Sequence, residues 1–287
     1  MKIRLISSPY HLGHRDVAIG AGPTAFLDGG AAQQLRDAGH EVSTVVIESS
    51  AIPSHEIGAV FHLNSLLATE VQHTVRDGAF PIVLGGNCNT CLGSLGGLGL
   101  TDAAIVWFDA HGDFHTAETT GSGFFDGMPL NIATGNSWHA LAKTIPGFRA
   151  VPERNVLLAG VRDLDEGEAD ALEVSAVHTC DYDAIRAGGV AASLVTHLDA
   201  IASRVRDLYL HVDLDVVTPE TARINGWQPQ GGLTLSELLE SLELIGDRFQ
   251  VRGAALTAYD PAFDTDKRGL GIGVEVLQAF GDIGWGP

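Results

Sequence analysis

The 287-residue sequence predicts a three-layer α/β/α fold built on a mainly parallel sheet. Three observations carry this expectation. Short apolar runs rich in β-branched residues recur along the chain, segments of helical period lie between them, and neither kind is confined to one half of the sequence. Parallel strands are buried on both faces, so they read as continuous apolar runs rather than as an apolar/polar alternation.

The elements follow in order. IRLIS opens the chain, a helical pattern covers 23–39, and VSTVVI follows at 42–47. A second helical pattern at 57–78 leads into PIVLGG at 81–86. The glycine-rich GGNCNTCLGSLGGLGL at 85–100 reads as a strand-to-helix turn rather than as a linker. Further apolar runs are AIVWFDAHGD at 104–113, NVLLAG at 155–160, LYLHVDLDVV at 208–217 and AALTAY at 254–259, with a helical pattern at 233–249 before the last. No internal repeat, low-complexity tract or Pro/Ser-rich linker divides the chain, so one domain over residues 1–287 is expected.

Composition narrows the function. Hydrophobic residues make up 45% and charged residues 18%, which suits a well-buried core. A formal net charge of −19 argues against nucleic acid or anionic membranes as partners. Most carboxylates in such a chain are solvated surface, so only clustered ones count as evidence. The cysteines, Cys88, Cys91 and Cys180, are odd in number and have no framework spacing. The apolar run near residue 1 is too short for a signal peptide, and no stretch approaches the roughly 18 apolar residues of a membrane span. A cytoplasmic protein is expected.

Two acidic clusters stand at strand exits, where open α/β sheets place their ligands. The first, Asp109-Ala110-His111-Gly112-Asp113, follows the strand AAIVWF. An extended backbone points Asp109 and His111 to one face, and Gly112 lets the chain turn so that Asp113 joins them. The second, Asp213-Leu214-Asp215, again offers two carboxylates on one face. Like charges held side by side in a partly buried place repel and need a cation. Four carboxylates and an imidazole suit a pair of divalent ions such as Mn²⁺, which lower the pKa of water. Either motif alone is commonly a solvated loop; the pairing carries the argument.

DAHGD at 109–113 and DLD at 213–215 look like the two signature metal-binding motifs of arginases, agmatinases and their relatives. RDVAIGAGPTAFLDGGAAQQLRDAG resembles the family's N-terminal helix region, and GGNCNTC occupies its first metal-ligand turn. The sequence thus resembles the arginase (ureohydrolase) family over nearly its whole length. The resemblance implies a sheet of about eight strands, a hydrolase of linear amidines, and a binuclear manganese site. In that site Asp109 and Asp213 bridge the ions, Asp113 completes one shell, and His111 and Asp215 complete the other. Cys88 stands where the family's turn carries a ligating histidine. A thiolate there is softer and shifts preference toward Zn²⁺ or Fe²⁺. The branch that hydrolyses Nω-hydroxy-L-arginine resembles the sequence at this turn and in GDFHTAETT. Cys88 and Cys91 also spell a CxxC, which leaves a redox reading open.

The resemblance extends to the substrate. FHTAETTGSGFFDGMP matches the loop that grips the amino-acid end, with Thr120 and Ser122 at polar positions and His115 in place of an Asn. GVRDLDEGE at 160–168 matches the stretch that binds the α-amino group, carrying over Asp163, Asp165 and Glu168. The same stretch also reads as the start of a helix with Asp165 as N-cap, and both readings can hold at once. Asp126 stands where the family has a proton-shuttling His, which leaves proton transfer to that carboxylate or to His115. Asp113 is expected to pass a proton to the leaving nitrogen. Ala258 replaces the Glu that pairs with guanidinium; strand alternation makes Asp260 the expected substitute. His211 shares a face with Asp213 and is expected behind the ligands rather than among them.

The function expected is cleavage of the guanidino C–N bond of arginine or Nω-hydroxy-arginine, giving ornithine plus urea or hydroxyurea. A formimino- or other amidino-hydrolase, and a non-catalytic descendant binding metal or an amino acid, stay open. No sequence pattern discloses the oligomeric state; members of the family are commonly trimers or hexamers.

Overall fold

The computed structural model describes residues 1–284. The chain opens with β1 (Lys2–Ser8), a short hairpin of β2 (Tyr10–His11) and β3 (His14–Arg15), and helices α1 (Gly22–Asp28) and α2 (Ala31–Asp37). There follow β4 (Glu41–Val46), α3 (Glu56–Arg76), β5 (Phe80–Gly85), α4 (Thr90–Leu98) and β6 (Ala104–Phe108). Short helices α5 (Pro129–Ala133) and α6 (His139–Ala142) precede β7 (Val156–Ala159), α7 (Glu166–Val174), β8 (His178–Cys180), α8 (Tyr182–Gly188) and α9 (Val190–Ala202). The last elements are β9 (Asp207–Asp213), α10 (Leu235–Gly246), β10 (Gln250–Thr257) and α11 (Arg268–Ile283).

Eight strands form one sheet in the order β4-β1-β5-β10-β9-β6-β7-β8, and every pair is parallel. Helices cover both faces. Along β6, Ala104, Val106 and Phe108 belong to one apolar layer with residues of α1, α2 and α8 to α11. Ile105 and Trp107 belong to the other, with residues of α3, α4 and α5. Burial on both sides is why these strands lack polar alternation. The expected three-layer α/β/α fold is therefore what the chain adopts. Among the described residues no helix is long and apolar enough to cross a membrane.

Two details differ from the expectation. The single helical pattern at 23–39 is two helices, because Gly30 takes φ +85°, a left-handed conformation that ends one helix and starts the next. The edge strand β8 was not among the apolar runs: HTC is three residues long and only Cys180 is buried.

The sheet's carboxyl edge gathers the polar turns. The turns after β5, β6, β7, β9 and β10 carry Cys88, the 109–113 cluster, the 163–168 stretch, the 213–215 cluster and Ala258. All open on one side, as parallel strands require.

Candidate metal centre and its cavity

The donors are brought together by tight turns rather than by strand alternation. β6 ends at Phe108, and Asp109 Oδ1 then accepts the backbone N–H of His111 at 2.8 Å. That bond folds the chain so that His111 Nδ1 lies 3.3 Å from the same oxygen. Asp213, the last residue of β9, repeats the device: its Oδ1 accepts the N–H of Asp215 at 2.8 Å. The role expected of Gly112 also changes. Asp113 itself carries the positive φ, +50°, whereas a Cβ on Gly112 would stand 2.5 Å from Glu168 Cδ. Gly112 is needed for space, and Asp113 makes the turn.

Ligand atoms of Cys88, Asp109 and Asp113 lie within 4.8 Å of one another, and so do those of Asp109, His111 and Asp215. Asp109 belongs to both groups. Asp213 joins them, with Oδ2 3.0 Å from Cys88 Sγ, while His111 Nδ1 is 3.5 Å from Asp215 Oδ2. Burial first, and then the neighbouring Asp109, push the Asp113 carboxyl well above its usual range. Burial and Asp215 do the same to Asp213. The Cys88 thiol is pushed up by burial and by Asp213. Burial alone would lower His111, but Asp215 and Asp109 more than offset it and lift it to about 10. Asp113 Oδ2 is buried without any hydrogen-bond partner. Such an oxygen, in a nest of mutually repelling carboxylates, fits a cation: the donor set is what divalent ions take.

Several residues that hold this cluster were not anticipated. Trp107 Nε1 donates to Asp109 Oδ2 at 2.9 Å. Asn225 Nδ2 donates to Asp215 Oδ2 at 3.2 Å and to the carbonyl of Ala258 at 2.9 Å. Trp107 precedes Asp109 by two in the strand, so the sequence did offer a signal; Asn225 lies in an irregular loop and gave none. His211 is wholly buried and stacks on Trp107 with ring centroids 3.6 Å apart. Burial lowers it to about 3, and it bonds to Thr257 and Tyr209 rather than to a carboxylate.

A cavity of about 440 Å³ stands above the cluster. It is lined by Cys88, His111, Asp113, Asp213 and Asp215, and by His115, Thr120, Ser122, Asp126, Asp163, Asp165 and Glu168; Asp109 lies beneath. Ile19, Phe124, Trp227 and Ala258 add an apolar part that sequence reading had not placed there, Ala258 excepted. Asp165 has both expected positions: it caps α7, accepting Glu168 N–H at 3.2 Å, and its other oxygen is 3.0 Å from His115 Nε2. Glu168 is buried, and its Oε1 accepts the N–H of Phe114 at 2.8 Å. Thr120 and Ser122 accept backbone N–H groups of Gly123 and Phe124 and face the cavity mouth.

Two expectations are corrected by this geometry, and Asp126, which lines the cavity as expected, is more tightly held than the sequence disclosed. Asp260 does not replace the missing Glu: β10 ends at Thr257, Ala258 turns to φ +64°, and Asp260 Oδ1 accepts the N–H of Ala262 outside the cavity lining. Asp126 is not a free carboxylate. Its Oδ1 accepts from the backbone and side chain of Asn89, both at 2.9 Å, and its Oδ2 from Cys88 N–H at 3.1 Å and from Asn87 Nδ2. Burial raises it to about 7 against the pull of those bonds. The CxxC is divided by the fold: Cys88 lines the cavity, whereas Cys91 is buried in α4 outside the lining, and burial pushes both thiols up.

A carboxylate-rich floor with the donors a divalent ion takes, at the carboxyl edge of an all-parallel sheet, is the kind of site that metal-dependent α/β hydrolases carry. Sequence comparison specifies it further. The arginase family profile matches residues 1–280, and the chain belongs to that family. It is 28% identical to the arginase of Bacillus caldovelox over 98% of both chains, and 27% identical to that of Bacillus subtilis (strain 168) over 97% of both. The crystal structure of the Bacillus caldovelox arginase superposes with a TM-score of 0.89 at 26% identity, covering 97% of each chain. The protein is accordingly a ureohydrolase, an enzyme that hydrolyses C–N bonds of linear amidines.

Proposed function

We propose that the enzyme cleaves the guanidino C–N bond of an arginine-like amino acid, with Nω-hydroxy-L-arginine preferred over arginine, giving ornithine plus hydroxyurea or urea. One observation carries the preference. The wall below β10 presents Ala258, and both neighbours that might replace a carboxylate there are turned away: Asp260 to Ala262, and Tyr259, whose hydroxyl donates to Asp264. A charged guanidinium set against that wall lacks an ion-pair partner, and a weakly basic hydroxyguanidine loses less by its absence. At the other end Asp163 and Asp165 offer carboxylates to an α-ammonium group, and Thr120 and Ser122 offer hydroxyls to an α-carboxylate.

In this reading Cys88, Asp109 and Asp113 would hold one divalent cation and Asp109, His111 and Asp215 another, with Asp213 beside Cys88 as a further donor. Manganese suits the oxygen-rich set, and the Cys88 sulfur opens it to Zn²⁺ or Fe²⁺. Bound cations supply water of lowered pKa and positive charge opposite the developing oxyanion. Asp113, through the carboxylate oxygen not given to the cation, would take the proton lost by the attacking water and return it to the leaving nitrogen. Asp126 anchors the turn that presents Cys88, so proton exchange with solvent falls to His115 on the cavity wall. Its Nε2 is kept in place by Asp165.

The test is the release of urea, hydroxyurea, formamide and ammonia by the metal-loaded enzyme from arginine, Nω-hydroxy-arginine, agmatine and a formimino amino acid. A higher kcat/KM for Nω-hydroxy-arginine is expected. Equal or faster turnover of arginine overturns the substrate assignment, and no release with any divalent ion makes the protein a binding descendant instead.

A further inference from the structure

Behind Cys88 runs a buried polar chain that takes no part in the cavity. Cys88 Sγ is 3.2 Å from Thr257 Oγ1, Thr257 Oγ1 is 3.2 Å from His211 Nε2, and His211 Nδ1 is 3.1 Å from Tyr209 Oη. All four residues are buried. The three partners sit on adjacent strands, Tyr209 and His211 on β9 and Thr257 at the end of β10. Trp107, stacked on His211 at 13° between ring planes, keeps the imidazole in the plane the chain needs.

One assignment of the hydrogens gives the chain a direction that ends on the sulfur, provided Tyr209 donates to His211 rather than to its other neighbour Ser94. A phenol can donate to His211 Nδ1, and a neutral imidazole that accepts at Nδ1 carries its hydrogen on Nε2. That N–H then points at Thr257 Oγ1 and fills an acceptor position there. The threonine hydrogen is left to find an acceptor of its own. It has two: the sulfur at 3.2 Å, and the carbonyl of Val212 at the longer 3.4 Å.

We propose that Tyr209, His211 and Thr257 form a one-way donor relay that holds Cys88 as a hydrogen-bonded thiolate ligand, with the three acting as positioning residues. The inference rests on the reading of Cys88 as a ligand. It also answers a problem which that reading raises. The Cys88 thiol donates to Asp213 Oδ2 at 3.0 Å; once that hydrogen gives way to a cation, the sulfur would add like charge to an already acidic floor. A hydrogen bond from Thr257 draws charge off the sulfur, and partners behind a ligand tune the ion in this way.

The experiment uses Co²⁺ as the probe and follows the near-ultraviolet thiolate-to-Co²⁺ charge-transfer band together with Co²⁺ affinity. The wild-type protein is expected to show the band and Cys88→Ser to lose it. Thr257→Val keeps the side-chain shape without the hydroxyl; it is expected to move the band to lower energy and to weaken Co²⁺ binding by roughly 10-fold or more, the usual effect of losing such a partner. Thr257→Ser is expected to restore both. Tyr209→Phe frees the imidazole to reverse, so a smaller shift in the same direction is expected, and this variant answers the question should Thr257→Val not fold. Bands and affinities at wild-type values in Thr257→Val and Tyr209→Phe overturn the relay while leaving Cys88 a ligand. Bound Co²⁺ with no Cys88-dependent band, in an enzyme that still hydrolyses its substrate, overturns the ligand assignment and the relay together and leaves the hydrolase reading intact.

Discussion

The substitution Gly112→Ala isolates one contact on which the metal centre depends. The added Cβ would stand 2.5 Å from Glu168 Cδ, 2.7 Å from its Oε1 and 2.8 Å from Leu164 Cδ2. Leucine can change rotamer, but Glu168 is pinned, because Oε1 accepts the Phe114 N–H and Asp165 caps its own N–H. Relief therefore breaks the bond to Phe114 and strands a buried donor, at about 1–3 kcal/mol. Residual overpacking adds a further contribution of about 1 kcal/mol or more. The sum is about 2–4 kcal/mol, read from the urea midpoint at constant m-value. A double-mutant cycle decides whether the clash is the cause. Glu168→Ala alone loses the Phe114 bond, and Gly112→Ala should then cost under about 1 kcal/mol in that background, because the obstruction is gone. An equal cost of Gly112→Ala in both backgrounds would refute the reasoning. It would point instead to the other close neighbour, Leu164 Cδ2.

Chelation and resupply of divalent ion should move thermal stability strongly. An ion at 100 times its Kd adds about 2.7 kcal/mol, or roughly 5–10 °C in Tm, whereas Asp113→Asn should respond less; a Tm indifferent to chelator argues that the carboxylates hold no cation. Trp107→Phe removes the donor to Asp109 Oδ2 and should weaken ion binding by roughly 10–100-fold, measured by competition with a chelating dye. Far from the cavity, burial, His197 and Arg204 hold the His178 imidazole below its ordinary 6.5. A histidine lowered in the fold contributes stability that is present above its unfolded pKa and lost as pH falls through its folded one. The wild type should therefore lose ground to His178→Gln in urea melts between about pH 7.5 and about pH 5.5; an unchanged difference removes this residue from the acid response.

The legible part of the molecule was the part written in consecutive residues. Strands buried on both faces announce themselves, and so do ligands that follow one another within a single turn, as in 109–113 and 213–215. The edge strand β8, with His and Thr in a three-residue run, does not. Strand alternation failed just where strands stopped. It grouped Asp109 with His111 correctly but for the wrong reason, since a side-chain-to-backbone bond brings them together. It sent Asp260 to the wrong place because Ala258 has left the extended conformation. Asn225 and Trp227 come to the site from one irregular loop, Ile19 from the segment before α1 and Thr257 from the end of β10, and only the folded chain reveals that they meet.

The strand order has a consequence for how the enzyme comes into being. β10 follows every other strand in sequence, yet it lies in the middle of the sheet between β5 and β9. Without residues 250–257 the remaining strands fall into two half-sheets, β4-β1-β5 and β9-β6-β7-β8, each with an open edge. Cys88 belongs to one half, and Asp109 and Asp213 to the other. Insertion of β10 thus closes both edges and joins the two halves of the site at once, and a chain lacking it would expose those edges to aggregation.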